Sequence, residues 1–187
     1  MRDLSMHVLD IAQNSVKAEA RTVTIDFDVD GGWLTIVFAD DGCGMSADFL
    51  GRVADPFTTT RTTRKVGLGI PLLKENAELT GGGVTIESKV GEGTTLTARF
   101  LLTHIDCPPM GQMCDTLLTL VLLNPETPEF VFTAKGYGME ASFDTRIVRE
   151  ALGGAPLNEP EVADWMREAI NEEFKPILEV QYRENHR

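Results

Sequence analysis

Apolar residues near the start of the chain fall at Leu4, Val8, Ile11, Ala12, Val16 and Ala20, the spacing of one face of an amphipathic helix. Asp3 stands before that stripe as its N-cap. The period then changes to two. Val23, Ile25, Phe27 and Val29 alternate with polar neighbours between Arg21 and Asp30, as in a half-buried strand. Gly31-Gly32 turns the chain into a second strand, Trp33 to Ala39, rich in β-branched and aromatic residues. Ser46 to Val53 predicts a short helix capped by Ser46. Between Ala54 and Val66 no period survives, and the Thr-rich run Asp55 to Lys65 reads as a loop. Gly67-Leu68-Gly69 opens a helix from Ile70 to Leu79, with Pro71 in its first turn and Thr80-Gly81-Gly82-Gly83 at its end. Val84 to Lys89 and Thr94 to Thr103 are strands joined by Val90-Gly91-Glu92-Gly93.

Cys107-Pro108-Pro109 marks a boundary, which divides the chain into residues 1–105 and an extension, 106–187. Met110 to Leu123 fits a helix or a buried strand, and its length and proline start favour the helix. Glu129 to Thr133 and Met139 to Phe143 predict a hairpin around Lys135-Gly136-Tyr137-Gly138. Asp144 caps a helix through Leu152, ended by Gly153-Gly154. Pro160 to Phe174 predicts an acidic amphipathic helix with Val162, Trp165, Met166, Ala169 and Ile170 inward. Helices and strands together give an α/β (α+β) fold.

The 187 residues are 42% hydrophobic and 25% charged, the balance of an ordinary globular protein. No apolar run has the length of a membrane span, and the start has no long apolar signal core, so a cytoplasmic location away from membranes is expected. Cys43, Cys107 and Cys114 form no CxxC pair, and their odd number argues for reduced thiols. Net charge is -12, with 10 basic and 14 acidic residues through Ile105 and 7 basic and 15 acidic residues beyond it. Such a balance disfavours nucleic acid and anionic membrane as partners. Basic residues cluster locally at Arg61, Arg64 and Lys65.

Three stretches can carry chemistry. Asp40-Asp41-Gly42-Cys43-Gly44-Met45 follows a strand directly. Its carboxylates are acceptors suited to an exocyclic amine, and its glycines admit a closely approaching ligand; the same letters also describe a plain turn. Gly67-Leu68-Gly69 opens a helix, whose unpaired N–H groups and dipole favour phosphate, although its spacing is neither that of a P-loop nor that of a Rossmann fingerprint. Asp10 and Asn14 lie one turn apart on one helix face. An amide oxygen can bind Mg²⁺ and a carboxylate can act as a base, and an ordinary solvated face is the alternative.

Taken in order, these stretches resemble the GHKL superfamily of ATPases: DNA gyrase, heat-shock chaperones, sensor histidine kinases and mismatch-repair MutL. Leu9 to Ser15 resembles the N box, and its continuation to Ala20 looks like MutL. Asp40 to Met45 resembles the Asp-x-Gly-x-Gly adenine motif, and Asp55 to Thr60 the phenylalanine box of histidine kinases. Gly67-Leu68-Gly69-Ile70 and Gly91-Glu92-Gly93-Thr94 resemble the later glycine motifs. The resemblance covers about residues 4–103. It implies a two-layer α/β sandwich of the histidine-kinase-like ATPase type with a small C-terminal α/β extension, and ATP with Mg²⁺ as ligands.

It also implies roles. Asp40 would accept from the adenine amine, and Asn14 would hold Mg²⁺. Gly42, Gly44 and Met45 would shape the base pocket, and Thr94 would reach the base through water. Gly67, Leu68 and Gly69 would seat phosphates under a lid spanning Phe57 to Val66, with Thr58, Thr59, Thr60 and Lys65 at the nucleotide. Asp10 stands where histidine kinases usually carry Asn and hydrolytic members carry Glu, so a shorter catalytic base is implied. The N box begins almost at Met1, which leaves no room for an acceptor hairpin. His7 is then a packed or exposed helix residue or an acceptor, and a phosphoacceptor on a partner protein is expected. Three activities remain open: a protein kinase of the histidine-kinase or anti-sigma type, an ATPase whose lid switches a partner interface, and a nucleotide-dependent binding module. The extension is read as serving recognition or homodimer formation, or as a structural addition alone.

Overall fold

The computed structural model describes residues 3–54 and 68–180. In chain order the elements are helix α1 (Leu4–Lys17), strands β1 (Thr22–Asp30) and β2 (Trp33–Asp40), and helices α2 (Ala47–Leu50) and α3 (Gly69–Leu79). Strands β3 (Gly83–Lys89) and β4 (Gly93–Leu101) follow, then α4 (Met113–Leu123), β5 (Glu129–Gly136), β6 (Met139–Asp144), α5 (Thr145–Ala151) and α6 (Pro160–Leu178). The six strands make one mixed sheet in the order β3-β4-β2-β1-β5-β6. Every neighbour pair is antiparallel except β1 and β5, which run parallel from Thr22 beside Glu129 to Val29 beside Gly136.

Alternation along the strands decides which face is covered. Val23, Ile25, Phe27 and Val29 of β1, Leu34, Ile36 and Phe38 of β2, and Leu96, Ala98 and Phe100 of β4 are all buried. Helices α1, α3 and α6 pack on the sheet, and α4 is wedged between α1 and α6. The result is the expected two-layer α/β sandwich. The strands after residue 106 continue the same sheet: Phe130 and Phe132 of β5 lie beside Val23 and Ile25 in the core.

Several boundaries shift for physical reasons. Helix α1 stops at Lys17 rather than reaching Ala20. Glu19 takes a left-handed φ of 58°, its N–H donates to the Val16 carbonyl, and the Ala20 N–H donates to the Ser15 carbonyl, a Schellman ending. The helix after Ser46 is shorter than its pattern and ends at Leu50. Helix α6 continues past Phe174 through Pro176, because Phe174, Ile177 and Leu178 extend its buried stripe. Trp165, expected inward on that helix, is 52% exposed; it stands one residue off the Val162–Met166–Ile170–Phe174 stripe that meets the core.

The segment joining the two parts of the chain also caps α1. The Leu4 and Ser5 N–H groups donate to the carbonyls of Pro109 and Met110 at 2.9 and 3.0 Å, and the Met6 N–H donates to Asp3. Three of the helix's orphan donors are thereby satisfied, two of them by residues more than a hundred positions away.

His7 on α1 is fully buried. Its Nε2 lies 2.8 Å from Asn76 Nδ2 on α3, and its Nδ1 has no partner. Burial, foremost, lowers its pKa from 6.5 to about 4 against the opposing pull of Asp10 and Asp3. Between those two pH values the unfolded chain binds a proton that the fold refuses, so stability is full above pH 6.5 and declines as pH falls toward 4. Linkage sets that decline at about 3 kcal/mol. Thermal melts across the interval are expected to show it, and to show it much reduced in His7→Leu.

Candidate nucleotide site

Inward alternation on three strands ends in polar residues at one edge of the core. On β2 the series Leu34, Ile36, Phe38 is followed by Asp40. On β4 the series Phe100, Ala98, Leu96 is followed by Thr94. Asp40 is paired with Thr94, and Thr94 with Ser88 of β3, so the three side chains form a row across the sheet. A cavity of about 670 Å³ opens there, within the range of small-ligand sites. Asn14, Asp40, Gly44, Met45 and Thr94 line it together, five of the residues singled out in the sequence.

Asp40 is held from two sides. Its Oδ2 accepts from Ser15 Oγ at 2.6 Å and its Oδ1 from the Gly42 N–H at 3.0 Å. Two fixed donors leave lone pairs on both oxygens directed by the protein, a preorganised acceptor on the cavity wall. Asp41, next in sequence, has a different task. Its Oδ1 accepts the Arg21 and Thr22 N–H groups at 2.7 and 2.9 Å, tying the start of β1 to the end of β2. Desolvation pushes its carboxyl pKa upward, but the N–H groups of Thr22, Arg21 and Asp41 outweigh that and hold it below the usual value.

The glycines have separate steric reasons. Gly44 has φ +66, and a Cβ there would fall 2.0 Å from the Lys89 carbonyl oxygen. Gly42 abuts Ala18, where a Cβ would come within 2.8 Å of the carbonyl oxygen. The Cys43 N–H donates to that same carbonyl, and the Gly91 N–H donates to the Cys43 carbonyl, so the loop is fastened to α1 on one side and to the β3–β4 turn on the other.

Ser88 settles the polarity of the row. Its hydroxyl lies 2.9 Å from the Gly93 carbonyl, which can only accept, so its single proton goes there. It therefore accepts from the Met45 N–H at 2.8 Å and from Thr94 Oγ1 at 2.8 Å. Thr94 has spent its own proton on Ser88 and presents only lone pairs to the cavity. That suits a water donating to Thr94 while it accepts from or donates to a base.

Asp10 and Gly69 border the site through their neighbours Ile11 and Ile70, which line it, whereas Leu68 is exposed on a separate groove with Ala54, Pro71 and Leu72. The Asp10 carboxylate lies against the first residue of α3: a Cβ at Gly69 would fall 1.7 Å from Oδ2. Helix α3 begins without a side-chain cap, so the helix supplies no internal partner for its first N–H groups. Thr58, Thr59, Thr60, Lys65 and Gly67, with the rest of the expected lid, lie outside the described residues.

Some residues escaped the sequence reading. Ser15 and Ser88 orient Asp40, Met45 and Thr94; each is a serine on the inward phase of its element, which is the signal that could have found it. Lys17 lines the cavity one turn beyond Asn14, and a lone lysine in the last turn of a helix carries no sequence signal of that role. Ile11, Phe38, Phe49, Val53, Ile70 and Leu96 form apolar walls that composition alone does not separate from core. The three cysteines are free thiols, Cys43 exposed at the cavity and the other two buried. Burial, foremost, with the Glu179 carboxylate beside it, pushes the Cys114 thiol up to about 12, so it stays protonated.

Residues 2–104 match the model of the histidine kinase-, DNA gyrase B- and HSP90-like ATPases. The chain belongs to this family. An uncharacterized sensor-like histidine kinase of Rhizobium meliloti is 36% identical over 96 residues, 48% of this chain and 18% of that protein. The histidine protein kinase DivJ of Caulobacter vibrioides is 36% identical over 104 residues, 52% of this chain and 17% of that protein. The chain thus spans less than a fifth of these relatives' length. The N-terminal domain of a DNA repair protein superposes with a TM-score of 0.55 at 16% identity, covering 76% of this chain and 53% of the other, which is a likeness of fold. As a histidine-kinase-like ATPase domain the protein binds ATP. Among the described residues no helix is long and apolar enough to cross a membrane.

Proposed function

We propose that this histidine-kinase-like ATPase domain uses ATP for phosphoryl transfer to a partner protein in bacterial signalling, as a kinase of the histidine-kinase or anti-sigma type. The observation that carries this reading is the Asp40 carboxylate, fixed by Ser15 and Gly42 on the wall of a cavity that also holds Asn14, Lys17 and Thr94. Asp40 receives the adenine amine, and the apolar walls from Ile11, Phe38 and Leu96 sandwich or edge the base. The amide oxygen of Asn14 fits Mg²⁺, which takes oxygen ligands and completes its shell with water and phosphate. When bound, that ion neutralises phosphate charge. Lys17 adds a positive charge on the same wall. The first N–H groups of α3, which have no partner within the helix, receive the distal phosphates, with Leu68 and Gly69 at the turn and Gly67, Thr58, Thr59, Thr60 and Lys65 assigned to the lid side.

His7 is buried, which argues against it as the acceptor, and the acceptor is assigned to a partner protein. Residues 1–105 are assigned nucleotide binding and 106–187 recognition of the partner or of a second copy. A switching ATPase is the second reading. The capping of α1 by Pro109 and Met110 favours it, since nucleotide and extension then act on one helix.

Asp10 is assigned as the base, and Gly69→Ala tests it without touching its chemistry. The new methyl forces the carboxylate off its present position, while Ala suits a helix start as well as Gly. Because Gly69 is also assigned to the phosphate turn, the rate is read at saturating ATP, where phosphoryl transfer is expected to fall at least about tenfold from the displaced carboxylate, and Asp10→Asn, which leaves that turn intact, is expected to show the same fall. An unchanged rate would remove Asp10 from the mechanism. The overall test is incubation with γ-labelled ATP, Mg²⁺ and a candidate partner. Label on protein supports the kinase, released phosphate supports the switching ATPase, and neither product from a chain that binds ATP leaves a binding module.

A further inference from the structure

The two helices that carry the proposed catalytic groups meet at two polar points. At the start of α3 the Gly69 backbone presses on the Asp10 carboxylate of α1. Two turns later Asn76 Nδ2 lies 2.8 Å from His7 Nε2, one turn before Asp10. Among the described residues this is the one side-chain hydrogen bond between α1 and α3. The other buried side chains of α3, Ile70, Pro71, Leu73 and Ala77, are all apolar.

Stability alone does not account for the pair. His7 is fully buried, and its Nδ1 has no partner whichever nitrogen carries the proton. An orphaned buried polar atom costs about 1–3 kcal/mol, so two apolar side chains of similar bulk would hold the helices together at least as well. What a hydrogen bond adds is direction. It exists only over a few tenths of an ångström and a narrow angle, whereas apolar packing tolerates sliding. A bond at the far end of α3 therefore fixes how far its first turn projects beside Asp10 and Asn14.

We propose that His7 and Asn76 are positioning residues that set the phosphate end of α3 against α1, and so govern the site's grip on the polyphosphate but not on adenosine. This rests on the reading of the cavity as an ATP site. Neither residue lines the cavity; Asp40, Thr94 and the Gly42–Met45 loop, which read the base, are fixed by β2, β4 and the C-terminal turn of α1 (Ser15 and Ala18), two turns from His7 and on the far side of Asp10 from it.

The experiment uses the full chain and follows ¹H–¹⁵N shifts during titration with Mg·ATP and with adenosine. In the double variant His7→Leu/Asn76→Leu the melting temperature is expected to equal or exceed that of the parent. Adenosine affinity is expected to stay within twofold, and ATP affinity to fall tenfold or more. Asn76→Ala, a half-exposed position, is expected to show the same split and serves if the double variant does not fold. An unchanged ratio of ATP to adenosine affinity in either folded variant overturns the proposal while leaving the nucleotide site in place. A parent chain that responds to neither ligand overturns the site itself, and this proposal with it.

Discussion

A chain ended at Ile105 is expected not to fold, although the family match ends at residue 104. The cut removes β5, which pairs with β1 along eight residues, and leaves a central strand as an open edge. It removes α4 from the flank of α1 and strips the Leu4 and Ser5 N–H groups of their acceptors. It also uncovers Val29, which sits beneath Gly136 and Ile177: a Cβ on Gly136 would come within 2.9 Å of the Val29 Cβ and 3.2 Å of Ile177 Cγ2. Each large core side chain returned to water costs about 1.5–3 kcal/mol, so a few of them consume the whole of a typical domain stability of about 5–15 kcal/mol. The truncated chain should lack a cooperative melt and resolved amide shifts, where the full chain shows both. A sharp transition in the fragment would mean that nucleotide binding and folding divide at the same place.

Replacing Asp40 by alanine is expected to lower ATP affinity by about 10- to 100-fold, the worth of a charge-assisted hydrogen bond of about 1.5–3 kcal/mol. Calorimetric titration checks it. The neighbouring variant Asp41→Ala is the control that gives the result meaning. Its carboxylate accepts the Arg21 and Thr22 N–H groups and does not line the cavity, so the variant should lose about 1 kcal/mol of stability and bind ATP as the parent does. Adjacent acids of the same type then separate into one that reads the ligand and one that ties two strands. Equal loss of ATP binding in both variants would point to a disturbed loop rather than to recognition by Asp40.

The pattern of the chain carried much of this in advance. Period-two alternation in β1 located its core face, β-branched and aromatic content marked β2, and Gly31-Gly32 and Tyr137-Gly138 located two of the turns. Asp40 stood out in the sequence because it closes a strand directly before a glycine-rich run that resembles the adenine motif. Ser15 and Ser88 did not, since small hydroxyl residues are unremarked in a buried face until their partners are known. Trp165 was misjudged because helical spacing fixes a stripe only to within a residue. The ending of α1 was misjudged because Glu19 takes a conformation usually left to glycine. The joining of β5 to β1 is a contact between distant segments, and nothing local in Glu129–Gly136 says which strand it will meet.

That last contact has a bearing on biosynthesis. Strand β5 lies about a hundred residues downstream of β1, and parallel pairing must wait until it has left the ribosome. Throughout that interval the nascent chain carries every sequence motif for nucleotide binding, yet one side of its middle strand is bare and the helix bearing Asp10 and Asn14 lacks two acceptors at its start. Bare strand edges invite pairing with other chains. The protein is therefore most exposed to misassembly after its motifs are complete and before its last third is made, and slow synthesis between residues 105 and 136 should lower the soluble yield more than slow synthesis before them.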